Sequence, residues 1–221
     1  MATDRPAPAK RAYDSSRRRE RAEEERRATR RRVVAAAHQL FVDRGYVATT
    51  MADIASEAGV ALQSVYKAGT SKAELLNMVV DHAVAGDDQH VHIAERPRFA
   101  AVAEEADPRQ QVAMIAALIT DTQERSAAVQ RALRQAAAVD ESAAATLSAQ
   151  LERRRETIGR VVATIPADAL RHPVEDSADT VAAIGSTEVY LLQRDVRGWD
   201  ADRYQVWLTR SLIDLLLVPG G

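Results

Sequence analysis

Between Gly59 and Lys72 the chain reads GVALQSVYKAGTSK, a short run whose side chains have the types that recognise nucleic-acid edges. Placed on a short helix, Val65 and Ala68 face inward behind Val60, which leaves Leu62, Gln63, Ser64, Tyr66 and Lys67 on the open side. A glutamine amide can make two hydrogen bonds to an adenine edge, a leucine can touch a thymine methyl, and a serine hydroxyl pairs with several edges. Gln63, Leu62 and Ser64 are therefore the candidates for reading bases. Tyr66 and Lys67, like Thr50 upstream and Lys72 downstream, suit phosphate contact, which orients a protein on DNA without reading sequence.

Other chemistries find less support. The chain has no cysteine, which excludes disulfides, thiolate catalysis and cysteine-based zinc sites. G-x-S-x-G, Walker-type loops, H-E-x-x-H and G-x-G-x-x-G are absent, and the lone GTSK lacks the upstream glycine spacing of a phosphate loop. No catalytic residue and no cofactor is assigned. In DDQHVH, Asp87 to His92, the two histidines His90 and His92 would leave a helix on different faces, so a solvated polar loop is expected there rather than a metal site.

Charge points the same way as the outward set. The 221-residue chain carries a formal net charge of −2, but residues 1–32 hold 12 Lys and Arg against 6 Asp and Glu, a net +6 that leaves −8 on the rest. A basic end on an acidic body suits a polyanion, because clustered cations beside phosphates gain from counterion release. Nucleic acid is the leading partner and an anionic membrane surface the weaker one. The longest apolar runs, such as LLLV at Leu215 to Val218, are far too short to span a bilayer, and the N-terminus lacks the apolar core of a secretory signal. A cytoplasmic protein is expected.

The elements that must hold the outward residues are helices. Ala, Leu, Arg and Glu abound, Gly (9) and Pro (7) are few, and hydrophobic content of 46% suffices for a packed core, so the fold class is all-α. Residues 1–28 read as a disordered or frayed basic arm, charged on every face and with nothing to bury. Helical spacing follows in VVAAAHQLFVDR, residues 33–44, which Gly45 stops. In TTMADIASEAG, Thr50 and Asp53 form a capping box and Gly59 supplies the left-handed turn into the next short helix, the layout of a helix-turn-helix. Ser71 and Glu74 begin a longer helix, a polar region covers about residues 86–98, and long amphipathic segments run beyond Pro108 and from about Glu141 to Ile165. The last two helices span roughly 175–196 and 201–218, with Gly198 ending one and Asp200 capping the other. The domains are thus a helix-turn-helix domain at 29–75 and a larger C-terminal helical domain at 76–221.

Residues 33–76 resemble the DNA-binding domain of the TetR (tetracycline-repressor-like) family of bacterial regulators. LF, RGY, TT, DIA, AGV, VY and SKAELL stand in that family's order and spacing. STEVYLLQRDVRGWDADRYQVWL is similar, less specifically, to the closing helices of many actinobacterial members. The resemblance implies a homodimer that binds double-stranded DNA at a palindromic operator. It also implies a C-terminal domain that dimerises and holds a small-molecule effector, whose binding releases the DNA; most members repress. It places Gln63, Ser64, Tyr66 and Lys67 on the recognition helix, Thr50 on the preceding cap, Lys72 at the start of the next helix and Arg30, Arg31 and Arg32 on the basic arm. Two positions depart from the family. Ala61 replaces a capping Ser or Thr, forgoing about 1 kcal/mol. Gly69 replaces an aromatic that closes the recognition helix onto the core, which should loosen that helix end.

Four of the nine aromatic residues, Tyr190, Trp199, Tyr204 and Trp207, fall in the last two helices. Large rings on a terminal helix pair suit either core or a subunit interface, and the resemblance favours a dimer contact through Tyr190, Tyr204 and Trp207. Between residues 75 and 189 the only aromatic is Phe99, so an effector pocket must be lined by aliphatic and small residues. Met114, Ile115, Leu118, Ile119 and Thr122 are its candidates, and such a lining argues against a flat stacking inducer. Two rival functions stay open: a nucleoid-type DNA binder without effector control, and a helical protein-interaction module.

Overall fold

The computed structural model describes residues 10–86 and 97–219, all of whose regular elements are helical. Helix α1 spans Lys10–Asp43 and so begins well before Val33. The charged run continues the helix because it can pair along its own surface, as Arg27 does with Glu23 at 2.8 Å. Side chains 17–27 remain exposed, whereas Val33, Ala36, Ala37, Leu40 and Phe41 enter the core.

Gly45, at φ +80°, turns the chain into the single-turn α2 (Gly45–Ala48). Next come α3 (Met51–Ala58), α4 (Leu62–Ala68) and α5 (Lys72–Ala85). A short α6 (Pro97–Glu104) lies partly within the stretch the sequence suggests is polar and irregular; its Val102 is fully buried. Helix α7 (Pro108–Ala137) starts on the Asp107 cap with proline at its first position, and α8 (Glu141–Val162) starts on Asp140. The segment expected as one helix over 175–196 is two. Helix α9 (Val174–Ile184) ends at Gly185, Ser186 caps α10 (Thr187–Leu191), and the chain then widens into a π-helical turn at Leu192–Val196. Gly198 (φ +66°) and the Asp200 cap then lead into α11 (Ala201–Leu216).

Two apolar clusters organise these helices. The first joins α1 to α5 with the last turns of α7, through Val129, Ala132, Leu133 and Ala136. The second joins the first turns of α7, through Val112, Ile115 and Ala116, to α6 and α8 to α11. Helix α7 is thus one rod shared by both cores, and its small buried alanines let neighbouring backbones approach closely. No helix among the described residues is long and apolar enough to cross a membrane.

Candidate nucleic-acid interface and cavity

Helices α3 and α4 are too short to persist alone, and local geometry fixes how they meet. Thr50 accepts a hydrogen bond from the Asp53 amide at 3.1 Å while the Asp53 carboxylate accepts from the Thr50 amide and hydroxyl at 2.9 and 2.7 Å. Those bonds hold the Asp53 carboxyl below the usual carboxylate range. At the other end Gly59 takes a left-handed conformation, φ 62° and ψ 41°, and the Val60 amide returns to the Ala55 carbonyl at 3.0 Å. Ile54, Ala55, Ala58 and Val65 are buried between the two helices and α1.

That packing leaves one face of α4 open. Gln63 and Lys67 are exposed, Ser64 is half-buried, and Leu62 and Tyr66 keep 43% and 48% of their surface in water despite their apolar bulk. Exposed Leu and Tyr beside Gln and Lys is the composition of a contact surface rather than of a solvated helix back. Ala61 offers no side-chain cap, so α4 begins on backbone bonding alone, Ser64 to Ala61 at 2.8 Å. Arg30, Arg31 and Arg32 are exposed on α1, and Arg30 lies close enough to Glu74 to help lower its carboxyl pKa, after the larger effect of the Thr70 hydrogen bonds.

Two residues flanking α4 differ from the sequence reading. Lys72 is turned inward: its ammonium donates to the Tyr46 and Thr49 carbonyls at 2.8 and 3.0 Å and sits 4.2 Å from the centre of the Tyr46 ring. It closes the end of α2 instead of standing free for phosphate, because α2 leaves carbonyls without intrahelical partners. At Gly69, where the missing aromatic suggests a loosened helix end, the space is filled. Gly69 is buried, and a Cβ built there would lie 2.6 Å from Leu75 Cδ2, so Leu75 occupies the space an aromatic would take.

A second feature lies between the two cores. A cavity of about 290 Å³ is bounded by α5, α6, α7, α8 and the end of α9. Ile115, Leu118, Ile119 and Thr122 line it; Met114 does not, and packs against the second core without reaching the cavity. Among the lining residues that the sequence did not point to, the most consequential is Arg154. Leu147, Leu151, Arg154, Ile158 and Val161 all line the wall, at the i, i+4, i+7 spacing of one helical face. A charge interrupting an apolar stripe was the available signal, masked by the arginine run around it.

Tyr190 and Tyr204 are 4% and 0% exposed and meet edge to face at 4.9 Å inside the protomer. They build the second core and have no surface left for a partner, while Trp207 is half-buried. The exposed apolar side chains from Leu192 onward are instead Leu192, Val196, Val206 and Leu215. His90 and His92 lie outside the described residues, and no cluster among the described residues could hold a metal.

Comparison with known proteins follows this geometry. Residues 33–79 match the family model for bacterial regulatory proteins, tetR family. No curated protein matches the chain. Among solved structures, NalD, the secondary repressor of the MexAB-OprM multidrug efflux pump in Pseudomonas aeruginosa, is 22% identical with a TM-score of 0.63, covering 88% of this chain and 98% of its own. A transcriptional regulator from Rhodococcus sp. Rha1 is 17% identical with a TM-score of 0.62, over 86% and 99%. A Saccharomonospora viridis protein described as a transcriptional regulator, solved in complex with choline, is 18% identical with a TM-score of 0.65, over 86% and 98%. At these identities the likeness is one of fold.

Proposed function

We propose that this chain, which carries the N-terminal region of the tetR family of bacterial regulatory proteins on a regulator's all-helical fold, is a cytoplasmic, sequence-specific transcriptional repressor. It acts as a homodimer on a palindromic operator and is released by a small molecule held in the cavity between its two cores. The observation that carries the reading is the open face of α4. A seven-residue helix, braced by Ile54, Ala58 and Val65 behind it, presents Leu62, Gln63, Tyr66 and Lys67 together. Gln63 and Leu62 read bases, Ser64 assists from its half-buried position, and Tyr66, Lys67 and the arginines of α1 hold the phosphates. Leu192, Val196, Val206 and Leu215 supply apolar surface for the second copy.

The test begins with DNA selected from a random pool. Gln63→Ala weakens binding to the selected site by about 1–3 kcal/mol and relaxes preference at one base position. Lys67→Ala weakens all sequences alike and lowers the salt slope by about 1. Equal affinity for the selected palindrome and for random DNA across a salt series would defeat the proposal and leave a non-specific nucleoid-type binder.

A further inference from the structure

We propose that the cavity takes a small amphipathic anion, an aliphatic chain of about eight carbons lying on the apolar wall with its carboxylate on Arg154. The inference rests on the effector reading of this cavity and adds the chemical class of what it binds.

Charge balance supplies the first reason. Three charged side chains line the cavity: Asp81, Arg153 and Arg154. Asp81 pairs with Arg153 at 3.3 Å and also accepts from Gln150 at 2.6 Å, which neutralises both. Arg154 has no carboxylate within ion-pair distance among the described residues; its guanidinium donates only to the neutral carbonyls of Ala182 and Gly185, each at 2.9 Å. The nearby Glu188 is already paired with Arg134. Arg154 is half-buried, its partial burial disfavours the guanidinium's charge, and a cation without a counter-charge there gains when an anion joins it.

An orphaned hydroxyl stands near the same guanidinium. The Tyr204 phenol is buried with no hydrogen-bond partner among the described residues, and it lies close enough to Arg154 for each to alter the other's ionisation. Tyr204 is not itself a lining residue, so what a carboxylate in the cavity completes is the charge on Arg154.

Size and lining set the remainder. At roughly 30 Å³ for a water-sized group, the cavity holds on the order of ten non-hydrogen atoms, the size of octanoate. Its walls are Val80, Val84, Ile115, Leu118, Ile119 and Ile158 with Phe99 as the one aromatic, which offers a quaternary ammonium no cage of rings. The cation held by the Saccharomonospora viridis protein is therefore the wrong sign for this cavity.

Isothermal titration of the full chain with octanoate, octan-1-ol and choline chloride tests the proposal. Octanoate binds at least tenfold more tightly than octan-1-ol, and choline does not bind. In Arg154→Gln, octanoate affinity falls to that of octan-1-ol, while Arg154→Lys keeps part of the preference; circular dichroism establishes that each variant is folded. Should Arg154→Gln fail to fold, the three ligands on the unaltered protein still decide. Octan-1-ol bound as tightly as octanoate, choline bound at all, or octanoate indifferent to a folded Arg154→Gln would each overturn it. Operator binding is measured in parallel: a protein that binds its selected DNA but ignores octanoate loses only this ligand class, whereas one that binds octanoate without DNA preference loses only the regulator reading.

Discussion

Gly69 shows how one missing side chain is absorbed. Its backbone is extended, φ −152°, so the position does not require glycine for conformational reasons. What disfavours a side chain there is Leu75, whose Cδ2 and Cγ would stand 2.6 and 2.8 Å from an added Cβ and which is fully buried. The end of α4 is thus closed by a leucine reaching back from α5. Gly69→Ala overpacks the contact and destabilises the protein by about 1–3 kcal/mol in urea unfolding. Leu75→Ala in the same chain relieves the clash, so the double variant loses less than the sum of the two single losses. Strict additivity would mean that the two sites do not share this space. The sequence exposed the absence at position 69, but Leu75 lies a turn further on in what reads as an ordinary core stripe, and only packing shows which way it leans.

At the scale of elements, caps were legible and tertiary choices were not. Thr50 with Asp53, Gly59, Ser71 and Asp200 all stand where the sequence puts them, because each needs partners only three or four residues away. The break between α9 and α10 at Gly185, the inward turn of Lys72 and the place of Arg154 depend on helices distant in sequence, so periodicity within one segment carries no sign of them. The same holds for Asp140. It caps α8 through the Ser142 and Ala143 amides, and it also accepts the Tyr46 hydroxyl of α2 at 2.6 Å, joining the two halves of the protein. The Tyr46 bond, followed by the amides, lowers the Asp140 carboxyl below its ordinary range near 4. A depressed acid stabilises the fold fully above its unfolded pKa, and the benefit is lost as pH falls through the folded value. Asp140→Asn keeps a capping residue but loses the charge, costing about 1 kcal/mol at pH 7, the low end for a charge-assisted bond because the carboxylate is open to water. Denaturation at pH 7 and at about pH 3 should show the gap to the unaltered protein shrinking at the lower pH; a gap independent of pH would remove Asp140 from the acid response.

Across the whole molecule the cavity lies where the two cores meet. Its α5 wall, Val80 and Val84, belongs to the helix that carries Leu75 against Gly69 and Lys72 against Tyr46, and its α8 wall carries Arg154 on the helix capped by Asp140. A ligand that draws Arg154 towards itself therefore acts on α8, and α8 is tied to α2 through Tyr46. Two routes lead from the cavity towards the N-terminal helices: directly along α5, and from α8 through the Asp140–Tyr46 bond to α2. If both carry coupling, octanoate lowers operator affinity by the same factor by which operator DNA lowers octanoate affinity, within the 5–150-fold range usual for such pairs. Tyr46→Phe removes one route and touches neither ligand, since Tyr46 is absent from the cavity lining and is buried in the first core. Its expected signature is a smaller coupling factor with octanoate affinity in the absence of DNA unchanged, measured by titrating octanoate with and without the selected operator. An unchanged factor would assign the coupling to α5 alone, where Leu75 over Gly69 is the contact that links the cavity wall's helix to the end of α4.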